Sequence, residues 1–117
     1  MTSIAVTEWV LERWNEDEAV SGNAEVTLRI EDGRLSGFSG CNRYSSDVKP
    51  GDLPRTIVLG PVASTRMACR EPAMGVEDRF LWQLAAVKSF RLDRGRLGLE
   101  YELNGAIGLM LFRARPG

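Results

Sequence analysis

Residues 25–39 read EVTLRIEDGRLSGFS, and this stretch decides the fold because it has the pattern of a β-hairpin. Apolar residues occupy every second position from Val26 to Ile30, which is typical of a strand with one buried face. Asp32-Gly33 supplies a tight turn, and the return strand covers residues 34–39. A bulge or bend is expected near Gly37. The sequence therefore predicts antiparallel β-structure here.

The rest of the chain reads as further short strands around one helix. Strands are predicted at residues 8–14, 56–59, 89–93, 96–101 and 108–112. Arg94-Gly95 and Asn104-Gly105 predict the turns of two further hairpins. Residues 40–54 contain the turn-forming residues Pro50, Gly51 and Pro54, so we do not expect one regular central strand throughout that segment.

A helix is predicted at about residues 72–88, beginning at Pro72. Its apolar stripe needs a sheet to cover it, and consists of Phe80, Leu81, Leu84 and Val87. Charged residues at its two ends are interpreted as matching the helix dipole from exposed turns, rather than as a catalytic acid pair. They are Glu71, Glu77 and Asp78 toward the N-terminus and Lys88 at the C-terminus. The fold class is therefore α+β, mainly β.

Length and composition exclude several kinds of site and function. The chain has 117 residues, which fits a single domain over 1–117. It contains no histidine, which excludes a Ser-His-Asp or Cys-His nucleophile and any metal site that uses histidine. Its two cysteines are too few for an all-cysteine zinc site. We therefore expect no catalytic residue, metal or cofactor, and no enzyme.

Charge and hydropathy limit the partners. A formal net charge of −1 argues against binding to nucleic acid, which usually requires a basic face. No stretch is long and apolar enough for a transmembrane helix. The start, MTSIAVTEW, does not read as a secretory signal, so the protein is either cytoplasmic or a mature form whose signal was removed. A monomer is the default expectation.

Two segments are unusual for a generic β protein, and a third accompanies them. Residues 36–44 read SGFSGCNRY, residues 60–69 read GPVASTRMAC, and residues 77–84 read EDRFLWQL. In this order they resemble the META domain, the family of the bacterial heat-shock protein HslJ. The resemblance covers about residues 8–112. One departure is the stretch SSDV at residues 45–48, which leaves open the geometry of the link over residues 45–54.

The resemblance implies a curved, largely antiparallel sheet or a partly open barrel wrapped around the single helix. It implies a non-enzymatic binding or structural module in bacterial stress response or the cell envelope, where relatives are often lipoproteins. It implies an envelope or periplasmic location if a signal was removed. The alternatives are a carrier of an apolar small molecule or lipid, held between helix and sheet, and an enzyme without a recognisable site. The expected partner is thus an unknown protein or a small apolar ligand.

Cys41 and Cys69 each belong to one of the two motifs that carry the resemblance. We expect them to be close in space, because the small residues around Cys69 allow close approach. A disulfide would stabilise the fold by about 3–4 kcal/mol on the loop-entropy model. The alternative is two buried free thiols, as is usual in cytoplasmic proteins.

Four further residues of the motif loops are candidate site residues. Arg43, Tyr44 and Arg66 could form a patch that recognises an anion or a peptide, with ordinary surface packing as the alternative. Asn42 is expected to hydrogen-bond nearby backbone and fix the turn after Cys41. The three tryptophans are interpreted as core and rim aromatics, and an exposed one would indicate a partner surface; they are Trp9, Trp14 and Trp82.

Overall fold

The computed structural model of the chain describes residues 7–20 and 24–115. These residues form ten strands and one helix. In chain order the elements are β1 (Trp9–Asn15), β2 (Glu18–Ala19), β3 (Thr27–Glu31), β4 (Arg34–Phe38), β5 (Arg43–Pro50), β6 (Ile57–Leu59), β7 (Ala63–Ser64), α1 (Ala73–Ala85), β8 (Val87–Asp93), β9 (Arg96–Leu103) and β10 (Ala106–Ala114).

All the strand pairs are antiparallel and belong to one strongly curved sheet. Its order is β6-β5-β4-β3-β1-β10-β9-β8, with β2 added to β1 and β7 added to β5. The two outer strands approach each other at one point, where Thr56 and Ser89 form an isolated bridge and the Phe90 N–H donates to the Arg55 carbonyl at 2.9 Å. The sheet is therefore a nearly closed barrel, and the prediction of a mainly β fold with a barrel-like sheet and one helix is confirmed.

The three predicted hairpin turns are present. Asp32-Gly33, Arg94-Gly95 and Asn104-Gly105 all have positive φ at both residues, as the tightest antiparallel turns require. Of the bulge or bend expected near Gly37, no bulge is present on the β5 side, where pairing runs without a register shift from Arg34 to Phe38, but the pairing of β4 with β3 is interrupted between Ser36 and Ser39. Gly37 instead lies so close to the Thr27 carbonyl that a side chain would not fit.

The helix is shorter than the sequence predicted. It ends at Ala85, and Val87 and Lys88 begin β8, so Lys88 does not lie at the helix C-terminus. The chain turns at Ala86 because the Glu102 N–H donates to the Ala86 carbonyl, which starts the pairing with β9. Pro72 stands immediately before the helix.

The helix packs across one end of the barrel. Phe80 and Leu84 are fully buried, and the Phe80 ring lies edge-on to Tyr44 with centroids 5.2 Å apart. Gln83 donates to the Trp14 carbonyl at 3.3 Å, which joins the helix to β1. We call this the helix end of the barrel.

At the opposite end lie the turn at residues 32–33, the loop at residues 51–56 and the turn at residues 94–95. We call this the open end. The link over residues 45–54, left open by the sequence, is mostly strand, because β5 continues to Pro50 and pairs with β6 from Val48 onward. The loop that follows β5 is what reaches across the open end.

Candidate binding cleft and disulfide-linked loops

A buried carboxylate organises the loop between β4 and β5. Glu77 is 3% exposed, and its Oε1 accepts hydrogen bonds from the Ser39 hydroxyl and the Asn42 backbone N–H, both at 2.6 Å. Its Oε2 accepts one from the Asn42 side-chain amide at 2.8 Å. Charge-assisted hydrogen bonds of this kind are the strong ones in a protein interior. They hold residues 39–42 against the helix.

The interpretation of Glu77 as an exposed dipole-matching charge was therefore wrong. It stands three residues before Phe80 and seven before Leu84, so the helical period places it on the buried face. That spacing was the available signal. The other two acidic residues differ: Asp78 is exposed, and Glu71 accepts a hydrogen bond from the Gly75 N–H at 2.7 Å, beside the helix N-terminus.

The network also lowers the pKa of the Glu77 carboxyl group. Burial by itself raises the pKa of Glu77, because it disfavours the charged form. The hydrogen bonds from Ser39, Asn42 and the Cys41 backbone outweigh burial, so the pKa of Glu77 lies below its ordinary value. The group is thus held as a carboxylate that only accepts hydrogen bonds.

Asn42 connects the two motif segments instead of fixing a local turn, which corrects the role expected for it. Its Oδ1 accepts from the Met67 N–H at 2.7 Å and from the Thr65 hydroxyl at 2.9 Å, and its Nδ2 donates to the Met67 carbonyl at 3.0 Å. These partners lie more than twenty residues away in the chain. Asn42 is 2% exposed, so its amide is a structural group and not a surface one.

The two cysteines lie beside this network. In the structure Cys41 and Cys69 form a disulfide bond, with Cα atoms 6.0 Å apart and a sequence separation of 28. Bond and hydrogen-bond network therefore join the same two segments. The oxidation state in solution stays a prediction, and a thiol count tests it.

The candidate patch of Asn42, Arg43, Tyr44 and Arg66 is not one surface. Tyr44 is 2% exposed and its hydroxyl donates to the Thr27 carbonyl at 2.7 Å; burial raises the pKa of Tyr44 well above its ordinary value. The two arginines are exposed but line different concavities, since Arg43 lies in a polar groove and Arg66 beside the helix. The structure therefore separates them.

The polar groove beside Arg43 has a volume of about 760 Å³. Its charges are largely neutralised within the groove, because Arg115 pairs with both Glu8 and Glu25. Among residues 7–20 and 24–115, no group of three or more acidic or cysteine side chains is arranged to hold a metal ion.

The apolar concavity lies at the open end of the barrel. It has a volume of about 600 Å³, within the range of small-molecule sites. Its apolar side chains come from five strands and one loop, and include Ile30, Val48, Leu53, Ile57, Phe90 and Leu99. We call it the apolar cleft. No residue of α1 lines it, so the apolar cleft does not lie between the helix and the sheet.

The loop over residues 51–56 forms one wall of the apolar cleft. Thr56 closes the loop, since its hydroxyl donates to the Leu53 carbonyl at 2.6 Å and its carbonyl accepts from the Gly51 N–H at 2.8 Å. Charged side chains in the lining are confined to three residues, Lys49, Asp52 and Arg55. The sequence did not single these out, because the segment reads only as turn-forming.

The described part of the chain contains no helix long and apolar enough to cross a membrane. Trp9 and Trp14 are buried, whereas Trp82 on the helix is 65% exposed. Because an exposed tryptophan is the feature expected of a partner surface, the helix face that carries Trp82 is a candidate for one.

Comparison with known proteins agrees with this architecture. An NMR structure of a protein from Burkholderia xenovorans is 26% identical, with a TM-score of 0.72 over 97% of this chain and 85% of that one. A second NMR structure is 21% identical, with a TM-score of 0.66 over 97% of this chain and 95% of that one. No curated protein matches the chain. The model of the META domain family matches residues 2–113, so this chain belongs to the META domain family.

Proposed function

We propose that this META domain is a non-enzymatic binding module whose ligand is a small apolar molecule held in the apolar cleft. The observation that supports this is an apolar concavity of about 600 Å³ at the end of the barrel that the helix does not fill. Concave, mostly apolar sites with few polar groups are the usual form of a small-molecule site. An exposed apolar concavity costs solvation free energy that a ligand would recover.

The proposed setting is the bacterial cell envelope in a stress response. This part rests on the resemblance to heat-shock and lipoprotein members of the family, and the Cys41–Cys69 bond supports an oxidising compartment. Fractionation of cells that produce the full gene product tests it. Recovery of the protein with both thiols reduced in the cytoplasmic fraction would contradict this setting.

Binding of the neutral fluorescent probe N-phenyl-1-naphthylamine tests the ligand site. Adjacent residues of β6 provide a matched pair, since Ile57 lines the cleft whereas Val58 is 48% exposed and does not. A buried charge in an apolar site is costly, so we expect Ile57→Asp to weaken binding by at least about tenfold. Val58→Asp should bind as the unchanged protein does.

Saturable binding with one probe per chain in native mass spectrometry supports the proposal. No binding, or an equal loss in both variants, contradicts it. Circular dichroism on each variant establishes that the fold is retained.

A protein partner is the second candidate, and the 65% exposure of Trp82 favours it. Large aromatic side chains are enriched in the centres of interfaces. A pull-down with unchanged protein and with Trp82→Ser tests this candidate. It is contradicted if both recover the same proteins in the same amounts.

A further inference from the structure

The rim of the apolar cleft carries more positive than negative charge. Lys49 and Arg55 contribute two cations and Asp52 one anion to the lining. Within the described residues neither Lys49 nor Arg55 has an ion-pair partner, although several other surface arginines pair with a carboxylate. Both cations are therefore available to a ligand whose apolar part lies in the cleft.

The backbone holds Arg55 at this place. Arg55 has a φ of 66°, and its carbonyl accepts the hydrogen bond from the Phe90 N–H that joins the loop to β8. Lys49 belongs to β5 and pairs with Val58 of β6, so its side chain starts on the face opposite to Val48 and Ile57 and borders the cleft only at its edge. The two cations thus stand on different elements that border the cleft.

We infer that the ligand is a single-chain amphiphile with a carboxylate head, a free fatty acid. This inference rests on the proposed function and specifies its substrate class. The apolar lining would bury the chain, and the guanidinium of Arg55 and the ammonium of Lys49 would bind the carboxylate. A cleft of about 600 Å³ suits one hydrocarbon chain, and its open mouth leaves the head group at the cations.

Competition against N-phenyl-1-naphthylamine, at pH 7.5 and below micellar concentrations, tests the inference with decanoate and decanol. These differ only in the head group, and decanoate is ionised at this pH. We expect decanoate to bind at least about fivefold more tightly than decanol, since a charge-assisted pair contributes more than a neutral hydrogen bond. Added salt should reduce the difference.

The double variant Lys49→Gln/Arg55→Gln should bring the two affinities to within about twofold and leave decanol unchanged. Arg70→Gln/Arg113→Gln is the matched control, because it removes the same charge from exposed residues that do not line the cleft. It should preserve the preference for decanoate. Across octanoate, decanoate and dodecanoate, affinity should rise about fourfold per added methylene until the cleft is filled.

The outcomes separate the two claims. If neither decanol nor decanoate displaces the probe and the probe itself does not bind, the proposed function fails. If decanol binds as tightly as decanoate to the unchanged protein, the fatty-acid inference fails and the apolar site stands. If the preference for decanoate survives Lys49→Gln/Arg55→Gln, the head group lies elsewhere and the inference is overturned.

Discussion

The two ends of the barrel are built from the same antiparallel sheet but are filled differently. At the helix end Phe80 and Leu84 are fully buried, and the Glu77 carboxylate has a partner for each oxygen. At the open end Phe90 is half-buried and Leu53 is 69% exposed. One end is therefore a close-packed core, whereas the other leaves apolar surface exposed to solvent. The difference separates a closely packed end, which stabilises the fold, from the end to which we assign the proposed binding.

The largest expected effect compares two phenylalanines. Phe80→Ala removes a fully buried ring from the helix end and should lower the free energy of unfolding by about 3–5 kcal/mol. Phe90→Ala, at the half-exposed cleft, should cost less than half as much. Urea unfolding measures both. Equal losses would mean that the open end is packed as tightly as the helix end.

The next effect concerns the disulfide at the helix end. Reduction should lower the free energy of unfolding by about 3–4 kcal/mol, because the unfolded chain regains the entropy of a loop of 28 residues. A thiol assay on denatured, unreduced protein should find no free thiol. Two free thiols would disprove the bond in solution. The variant Cys41→Ala/Cys69→Ala should show no response to the reductant.

The Glu77 network predicts a pH effect. The native pKa of Glu77 lies below its ordinary value of 4.5, so its carboxylate contributes stability above that pH, which is lost as the pH falls through the native pKa. Glu77→Gln should cost about 1–3 kcal/mol at pH 7 and flatten the decline below pH 4.5. Exposed Asp78→Asn, the neighbouring control, should change stability by less than about 0.5 kcal/mol. An unchanged acid decline in Glu77→Gln would contradict the assignment.

The smallest expected change in stability concerns Ser46 in β5. Ser46 is 2% exposed, and its hydroxyl has no hydrogen-bond partner among the described residues. Ser46→Ala should therefore raise the free energy of unfolding by about 0.5–1 kcal/mol. The hydroxyl of Ser45 is exposed and accepts a hydrogen bond from Arg34 at 3.1 Å. The control variant Ser45→Ala should therefore leave the free energy of unfolding unchanged. A loss of stability in Ser46→Ala would show that its hydroxyl is satisfied.

Sequence patterns correctly predicted the structural elements whose conformation depends only on neighbouring residues. Strict alternation from Val26 to Ile30 and the turn at Asp32-Gly33 were enough for the hairpin, because side-chain period and positive φ are properties of neighbouring residues. The sequence did not predict that the helix terminates at Ala85. Pairing of Ala86 with Glu102 ends the helix, and that partner lies sixteen residues away.

The candidate site was predicted less well, for the same reason. The motifs drew attention to Asn42, Arg43, Tyr44 and Arg66 as candidate binding residues. Two of these four residues have structural roles instead. Tyr44 and Asn42 are unusual because their side chains are buried and hydrogen-bonded. The apolar cleft draws single ordinary residues from separate strands. No local pattern marks such a set.

The sequence alone determined that this chain is a mainly β META domain with one helix and two motif segments. It also determined that histidine takes no part in its chemistry. Only the tertiary structure decided that Glu77 is buried, that the helix fills one end of the barrel, and that Lys49 and Arg55 both border the cleft at the other. Periodicity and turn chemistry act between neighbours in the chain. Burial, charge pairing and cavities depend on which distant segments meet when the sheet curves.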